Sequence, residues 1–316
     1  HRGPKAEYTV GLSMDTLEVE RWKKDRDLFT AETRKLGGEV YAVSAGEQDA
    51  KQISDIENFI TRKVDVLVVI AHNGKSLSGA VSGAKAAGIP VIAYDRLIQD
   101  CDIDLYVSFD NVKVGRLQAQ AVVALAPKGN YLLLGGSPTD NNAFMFRKGQ
   151  MEVLKPLADA GKIRIVADPF CRDWKAEEAL NHAENALSKW KGRIDAVVAS
   201  NDGLAGGAIQ ALKEAGLAGK IPVSGQDAEL AACRRILSGE QAMTVYKPIA
   251  RIAAAAAQAA FALSKKAPLP AGHGVIANGF KNVPFLQLEP VSVDASNLQQ
   301  TVVADGFHTA EALAGK

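Results

Sequence analysis

Strand and helix patterns alternate along nearly the whole of this 316-residue chain, which predicts an α/β fold of two doubly wound parallel-sheet lobes. Three observations lead there. The apolar runs are continuous rather than alternating, the mark of strands buried on both faces. Amphipathic stretches separate them, and several close on glycine where the chain must turn back. Ten such runs are more than one ordinary open sheet carries, so the sequence divides into two lobes.

In chain order, Tyr8–Met14 is the first predicted strand and Glu18–Leu36 the first helix, closed by Gly37-Gly38. Strand Glu39–Val43, helix Asp49–Arg62, strand Val64–Ile70 and helix Leu77–Ala87 follow, the last closed by Gly88. Val- and Ile-rich Pro90–Tyr94 and Leu105–Ser108 complete five strands of the first lobe. Helix Asn111–Ala126, strand Asn130–Leu134, helix Asn141–Ala160, strand Ile163–Ala167 and helix Lys175–Trp190 open the second. Strand Ile194–Ala199, helix Gly203–Ala215 closed by Gly216, strand Ile221–Ser224, helix Ala228–Leu237 and strand Met243–Val245 continue it. The Ala-rich helix Pro248–Ser264 is too short, and too interrupted by Arg251 and Gln258, to span a membrane.

The first break falls near Ser108–Val112, where no Pro/Ser-rich linker appears. Lobes joined without a linker exchange chain, so a three-segment hinge is expected, with further crossings near Thr244–Pro248 and Asn278–Val283. Residues 6–111 and 248–279 then form the N-terminal lobe, 112–247 and 283–310 the C-terminal lobe, and 1–5 and 311–316 tails.

Composition excludes several classes. With 37 Lys+Arg against 36 Asp+Glu the net charge is +1, which argues against a nucleic-acid binder. Cys101, Cys171 and Cys233 lie far apart with no CxxC pair, and the five histidines form no HExxH, so no metal is expected. No GxGxxG follows the first strand, no Walker A motif occurs, and Gly135-Gly136-Ser137-Pro138 lacks the GxSxG elbow. No catalytic residue and no cofactor are therefore assigned. His1–Lys5 carries no apolar segment, which fits either a cytoplasmic protein or one whose signal peptide is gone.

In open α/β sheets ligands bind beyond the carboxyl ends of the strands. Asp95 and Arg96 follow Tyr94. Asn201 and Asp202 follow Ser200, and Asp227 follows Gln226. Ser137, Asp140, Asn141 and Asn142 follow the glycines after Leu134, and Lys247 follows Tyr246. A single Asp or Asn in such a place is commonly only a helix cap. Five strand ends that carry carboxylates, amides and cations together suit a polyhydroxylated neutral ligand, whose hydroxyls both donate and accept. Trp22 and Trp174 offer indole faces on which the C–H face of a sugar ring can stack. His72, at the end of its strand, reads as a surface or cap residue or as a residue lining a cleft.

With these strand ends in view, the chain resembles the periplasmic sugar-binding proteins of bacterial ABC transporters, of the ribose/galactose type. Tyr94-Asp95-Arg96 and Gly225-Gln226-Asp227 are widespread in that family. Glu20-Arg21-Trp22-Lys23-Lys24-Asp25-Arg26-Asp27 and Gly135-Gly136-Ser137-Pro138-Thr139-Asp140-Asn141-Asn142 are specific to its xylose branch. The resemblance implies the type I periplasmic binding protein fold, a monomer in the periplasm with its signal peptide removed, and delivery of sugar to the transmembrane subunits of an ABC permease by hinge closure. It implies D-xylose as ligand, with another pentose or hexose, or a sugar-sensing regulator core, as the alternative. Carried over by motif, the sugar ligands are Arg21, Asp95, Arg96, Asn142, Trp174, Asn201, Asp227 and Lys247, with Asp140 and Arg147 beside or behind them. The stretch Met14–Leu17 and the approach Phe170–Asp173 to Trp174 depart from the family pattern. A lactose-repressor-type regulator needs an N-terminal helix-turn-helix of about 60 residues, and the first predicted strand begins at residue 8.

Overall fold

The computed structural model describes residues 5–272 and 274–315, so His1–Pro4, His273 and Lys316, including parts of both expected tails, lie outside the described residues. The chain divides into two units: His1–Phe109 with Thr139–Asn141 and Pro248–Glu289, and Asp110–Pro138 with Asn142–Lys247 and Pro290–Lys316.

The first unit is built on a seven-stranded sheet. Its strands are β1 (Tyr8–Met14), β2 (Gly38–Ser44), β3 (Val66–Ile70), β4 (Val91–Tyr94), β5 (Leu105–Phe109), β10 (Gly274–Ala277) and β11 (Asn282–Leu288), in the order β10-β11-β5-β4-β3-β1-β2. All pairs are parallel except β10 with β11. Every residue of β3, β4 and β5 is buried, which is why these strands read as unbroken apolar runs. Helices α1 (Glu20–Lys35), α2 (Asp49–Thr61), α3 (Ser78–Ala86) and α9 (Ile249–Ser264) cover the sheet. The alanines of α9 let it lie close: Ala253, Ala256, Ala257, Ala259 and Ala260 are fully buried.

The second unit holds the parallel sheet β7-β6-β8, made of β6 (Gly129–Leu134), β7 (Ile163–Ala167) and β8 (Ala196–Ala199). A separate antiparallel pair joins β9 (Thr244–Tyr246) to β12 (Val291–Val293). In β6, Tyr131 and Leu133 enter one apolar cluster and Leu132 and Leu134 another, so both faces of the strand are covered. Its helices are α4 (Asn111–Leu125), α5 (Asn141–Asp159), α6 (Ala176–Lys189), α7 (Asp202–Glu214), α8 (Leu230–Ser238) and α10 (Ala310–Leu313).

The structure differs from the sequence expectation in several places, among them Thr139–Asn141, expected in the C-terminal lobe but part of the first unit, and the first passage, which falls between Phe109 and Asp110. The last passage between units lies at Glu289–Pro290, not at 279–283, because β11 pairs with β5 and stays with the first unit. Pro284 inside β11 had masked that strand. The segment Ile221–Ser224 makes one bridge, Val197 to Val223, and the chain then runs on beside β9, with the Gly225 carbonyl accepting from Val245 N and the Asp227 amide donating to the Val245 carbonyl. The helix expected from Ala228 begins at Leu230, since Asp227 (φ 98°) and Ala228 (φ 49°) take left-handed backbone conformations. The expected tail from residue 311 instead belongs to α10, whose Leu313 is buried against α8 and the Tyr246 cluster.

Helices α4 and α5 meet through paired glycines. A Cβ on Gly115 would lie 1.9 Å from the Phe146 carbonyl oxygen, and one on Gly149 1.8 Å from that of Val112. Backbone cannot yield as a side-chain tip can. Gly115→Ala is therefore expected to lower the unfolding free energy by about 1–3 kcal/mol or more, read as a reduced urea midpoint, whereas Gly161→Ala, which meets no atom within 4 Å, loses only what its positive φ demands.

Candidate functional site

In the first unit the polar residues gather where β1, β3 and β4 end. Arg21 sits on the buried face of α1 and reaches Asp25 one turn later through Nε (2.9 Å) and Nη2 (3.1 Å), while Nη1 bonds Asp95 (2.9 Å). Tyr94 Oη donates at 2.6 Å to Asp25 Oδ1, the oxygen that also accepts from Arg21 Nη2. Burial pushes the Asp25 carboxyl above the usual range against the pull of Arg21, and burial with the nearby Asp25 charge pushes the Tyr94 phenol well up.

Asp95 has a left-handed backbone (φ 63°), held because its carbonyl accepts from Tyr106 Oη and Ser108 Oγ, both at 2.8 Å. Arg96 donates through Nη1 to Asp15 (2.7 Å) and the Ala71 carbonyl (3.0 Å), and its Nε lies 3.1 Å from Asp140. Trp22 spans the two cations, with the Arg21 and Arg96 guanidinium carbons 4.3 and 5.2 Å from its ring centroid. At 3% exposure Trp22 offers little open face in this arrangement. Its role here is to hold two arginines by cation–π contact.

In the second unit the residues follow β6, β8, the Val223 bridge and β9. Asn142, buried on the first turn of α5, accepts from Asn111 at 3.1 Å. One turn on, Phe146 meets Trp174 edge-on at 6.1 Å and lies 5.8 Å from Lys247 Nζ. Trp174 (φ 58°) ends a short 3₁₀ turn, Arg172–Trp174, and its indole lies against Gly136, where a Cβ would come within 2.1 Å of the ring. Asn201 caps α7, accepting from Leu204 N at 2.9 Å. Asp227 is 3.4 Å from Lys247 and is held by its amide bond to the Val245 carbonyl (2.8 Å). The loop is anchored by Gln226, which donates to the Ser200 carbonyl next to Asn201 at 2.9 Å.

The structure thus brings Arg21, Asp95, Arg96 and Asp140 together in one unit, and in the other sets Asn142, Trp174, Asn201, Asp227 and Lys247 around the same strand ends. Arg147 departs from them. Its Nε bonds Gln150 (2.9 Å), its Nη1 pairs with Asp168, and it lies against Phe170; burial lowers its pKa to about 10.

Several contributors went unread in the sequence. Asp25 stands four residues from Arg21 on a helix, a pairing that the spacing alone could have shown. Asp15 carries no such signal, and Asp202 and Tyr94, named above as a strand-end residue and as part of the Tyr94-Asp95-Arg96 motif, gave no sign of their partners. Among the described residues no group of three or more His, Cys, Asp or Glu is placed to hold a metal ion, and no helix is long and apolar enough to cross a membrane.

Residues 10–268 match the model of the periplasmic binding protein domain. The chain belongs to that family. This periplasmic binding protein is 55% identical to a D-xylose-binding periplasmic protein of Haemophilus influenzae, over 96% of this chain and 91% of the relative. It is 52% identical to the D-xylose-binding periplasmic protein of Escherichia coli, with the same coverage. Among solved structures it resembles an ABC transporter solute-binding protein of Clostridium phytofermentans with bound β-D-glucose, at TM-score 0.90 and 31% identity, covering 96% of this chain and 99% of the other. The α/β class expected from the alternating strands, and the type I binding-protein fold that the resemblance implied, are what is observed.

Behind Asn201, Asp202 is fully buried and accepts from Gln241, Thr244 and the Glu229 amide. Burial, with the Asp227 charge nearby, raises its pKa to about 7 despite those donors. The folded state therefore holds the proton more tightly than the unfolded chain, whose carboxyl titrates near 3.8. The stability contributed by this proton is complete below that value and is lost as pH rises through about 7. In urea midpoints measured from pH 4 to 8, Asp202→Asn should show a shallower decline across this window than the unmodified protein. The slope is the readout, since the variant also loses an acceptor at every pH.

Proposed function

We propose that this protein is the D-xylose receptor of an ABC-type importer, working in the periplasm without catalysis. The observation that carries this reading is the 55% identity to a D-xylose-binding periplasmic protein over 96% of the chain, joined to the chemistry of the two polar clusters. Asp95 and Asp227 accept from sugar hydroxyls, Arg21, Arg96 and Lys247 donate, and Asn142 and Asn201 do both. Trp174 supplies the face on which the ring stacks. Asp140 acts behind Arg96. Arg147, turned toward Asp168 and Gln150, supports the wall beneath Phe170 rather than the sugar.

A sugar bonded by both clusters favours whichever arrangement of the units lets all these groups reach it, and the permease recognises that liganded form. Each hydroxyl missing or inverted leaves a buried polar group unpaired, at roughly 1–3 kcal/mol apiece. An exocyclic CH2OH, as in D-glucose, needs room that a pentose does not. Binding should therefore rank D-xylose above D-ribose, L-arabinose and D-glucose.

Titration calorimetry with these four sugars is the test. D-xylose is expected to bind most tightly, and Asp227→Ala and Trp174→Ala to weaken it by roughly tenfold or more, as loss of a charged bond or a stacking face does. Gly136→Ala should weaken it too, because the added methyl displaces the indole. Tightest binding of another of the four would move the assignment to that sugar, and no binding of any at millimolar concentration would overturn the reading.

A further inference from the structure

Arg96 is held by a chain of groups that crosses three neighbouring strand ends. Asp15 follows β1, His72 follows β3 and Arg96 follows β4, and the sheet order places β3 between the other two. One carboxylate oxygen of Asp15 takes Arg96 Nη1 at 2.7 Å, and the other lies 2.7 Å from His72 Nδ1. Although burial opposes it, the bonds from His72 and Arg96 hold the Asp15 carboxyl below its ordinary range.

His72 is itself fixed by its backbone. Its amide donates to Gln52 Oε1 at 2.8 Å, and its carbonyl accepts from Thr139 Oγ1 at 3.1 Å. Gln52, buried on α2, is in turn tied to the Ile70 carbonyl at 2.9 Å. Among the described residues, the bonds to Asp15, the Ala71 carbonyl and Asp140 engage Nε and Nη1 of Arg96. A guanidinium has five N–H donors, so the two on Nη2 are the ones left to address a ligand.

We propose that Asp15 and His72 are positioning residues for sugar binding: His72 fixes the plane of the Asp15 carboxylate, and that plane sets the direction in which Arg96 presents Nη2. This rests on the reading of Arg96 as a sugar ligand. Without Asp15 the guanidinium keeps Asp140 as its ion-paired carboxylate and swings toward it. Without His72 the Asp15 carboxylate can rotate to take Arg96 through both oxygens, which tilts the fork. Neither residue needs to touch the sugar.

The experiment titrates D-xylose into the unmodified protein, Arg96→Ala, Asp15→Asn, His72→Leu and His72→Asn, with a melting curve for each. Asp15→Asn and His72→Leu should each weaken binding by about tenfold or more, the effect of disturbing one charge-assisted bond. His72→Asn, whose side-chain N–H takes the place of Nδ1–H, should restore affinity while melting no higher than His72→Leu. That split between affinity and melting temperature separates positioning from general support of the fold. Unchanged affinity in Asp15→Asn or His72→Leu, or no rescue by asparagine, overturns the proposal while leaving Arg96 as a ligand. If Arg96→Ala binds D-xylose as the unmodified protein does, the reading of Arg96 fails and the proposal with it.

Discussion

Burying two guanidinium groups beside one indole is the constraint around which the first unit is arranged. Arg21 and Arg96 are 3% and 5% exposed, and an ion taken out of water loses several kcal/mol of solvation unless partners surround it. Four carboxylates supply that surrounding: Asp25 and Asp95 for Arg21, Asp15 and Asp140 for Arg96. They come from four places in the chain, and each position is set by an element: a helix turn, two strand ends, and the short passage Thr139–Asn141. That passage stays with the first unit although its neighbours on both sides belong to the second. The Arg96–Asp140 pair gives it a reason to do so.

Both units present a key aspartate by the same backbone device. Asp95 and Asp227 each follow a strand or strand-like segment in a left-handed conformation, at φ 63° and 98°. Aspartate tolerates that region better than most residues, but its occupation still needs support. Tyr106 and Ser108 hold the carbonyl of Asp95. For Asp227 the next carbonyl, that of Ala228, meets His308 at 2.7 Å and Cys233 at 3.6 Å. His308 lies in the C-terminal segment, whose Leu298, Val302 and Leu313 pack on α8 and Tyr246. The last stretch of the chain therefore buttresses a loop far from it in sequence.

What was legible in the sequence follows from which interactions are local. Strands β1, β3 and β4 announced themselves as apolar runs because both their faces are covered, and the residues just past them could be named without knowing the fold. Strand β11 did not, since its partner β5 lies more than 170 positions away and Pro284 interrupts its pattern. The same distinction divides the site. Asp95, Arg96, Asn201 and Asp227 were visible as strand-end residues. Arg21 came only through resemblance, because on a helix full of charges its burial depends on Asp95, 74 residues on. Asp15 and Asp202 were invisible as partners for the same reason: their significance lies in groups that only the folded chain brings near.

The paired state of these groups bears on why the site suits binding rather than chemistry. A general acid or base must exchange its proton freely with a substrate, whereas Asp15 and Asp95 are each paired with a buried arginine. A committed carboxylate is a poor base but a well-aimed acceptor, and a guanidinium braced on one side can present only its remaining N–H groups. Preorganisation of this kind reduces the ordering a ligand must impose and, on the proposed reading, makes the direction of these groups a stringent filter on hydroxyl stereochemistry. On that reading, discrimination between epimeric sugars arises less from the groups that would touch the sugar than from the bonds that keep those groups from turning.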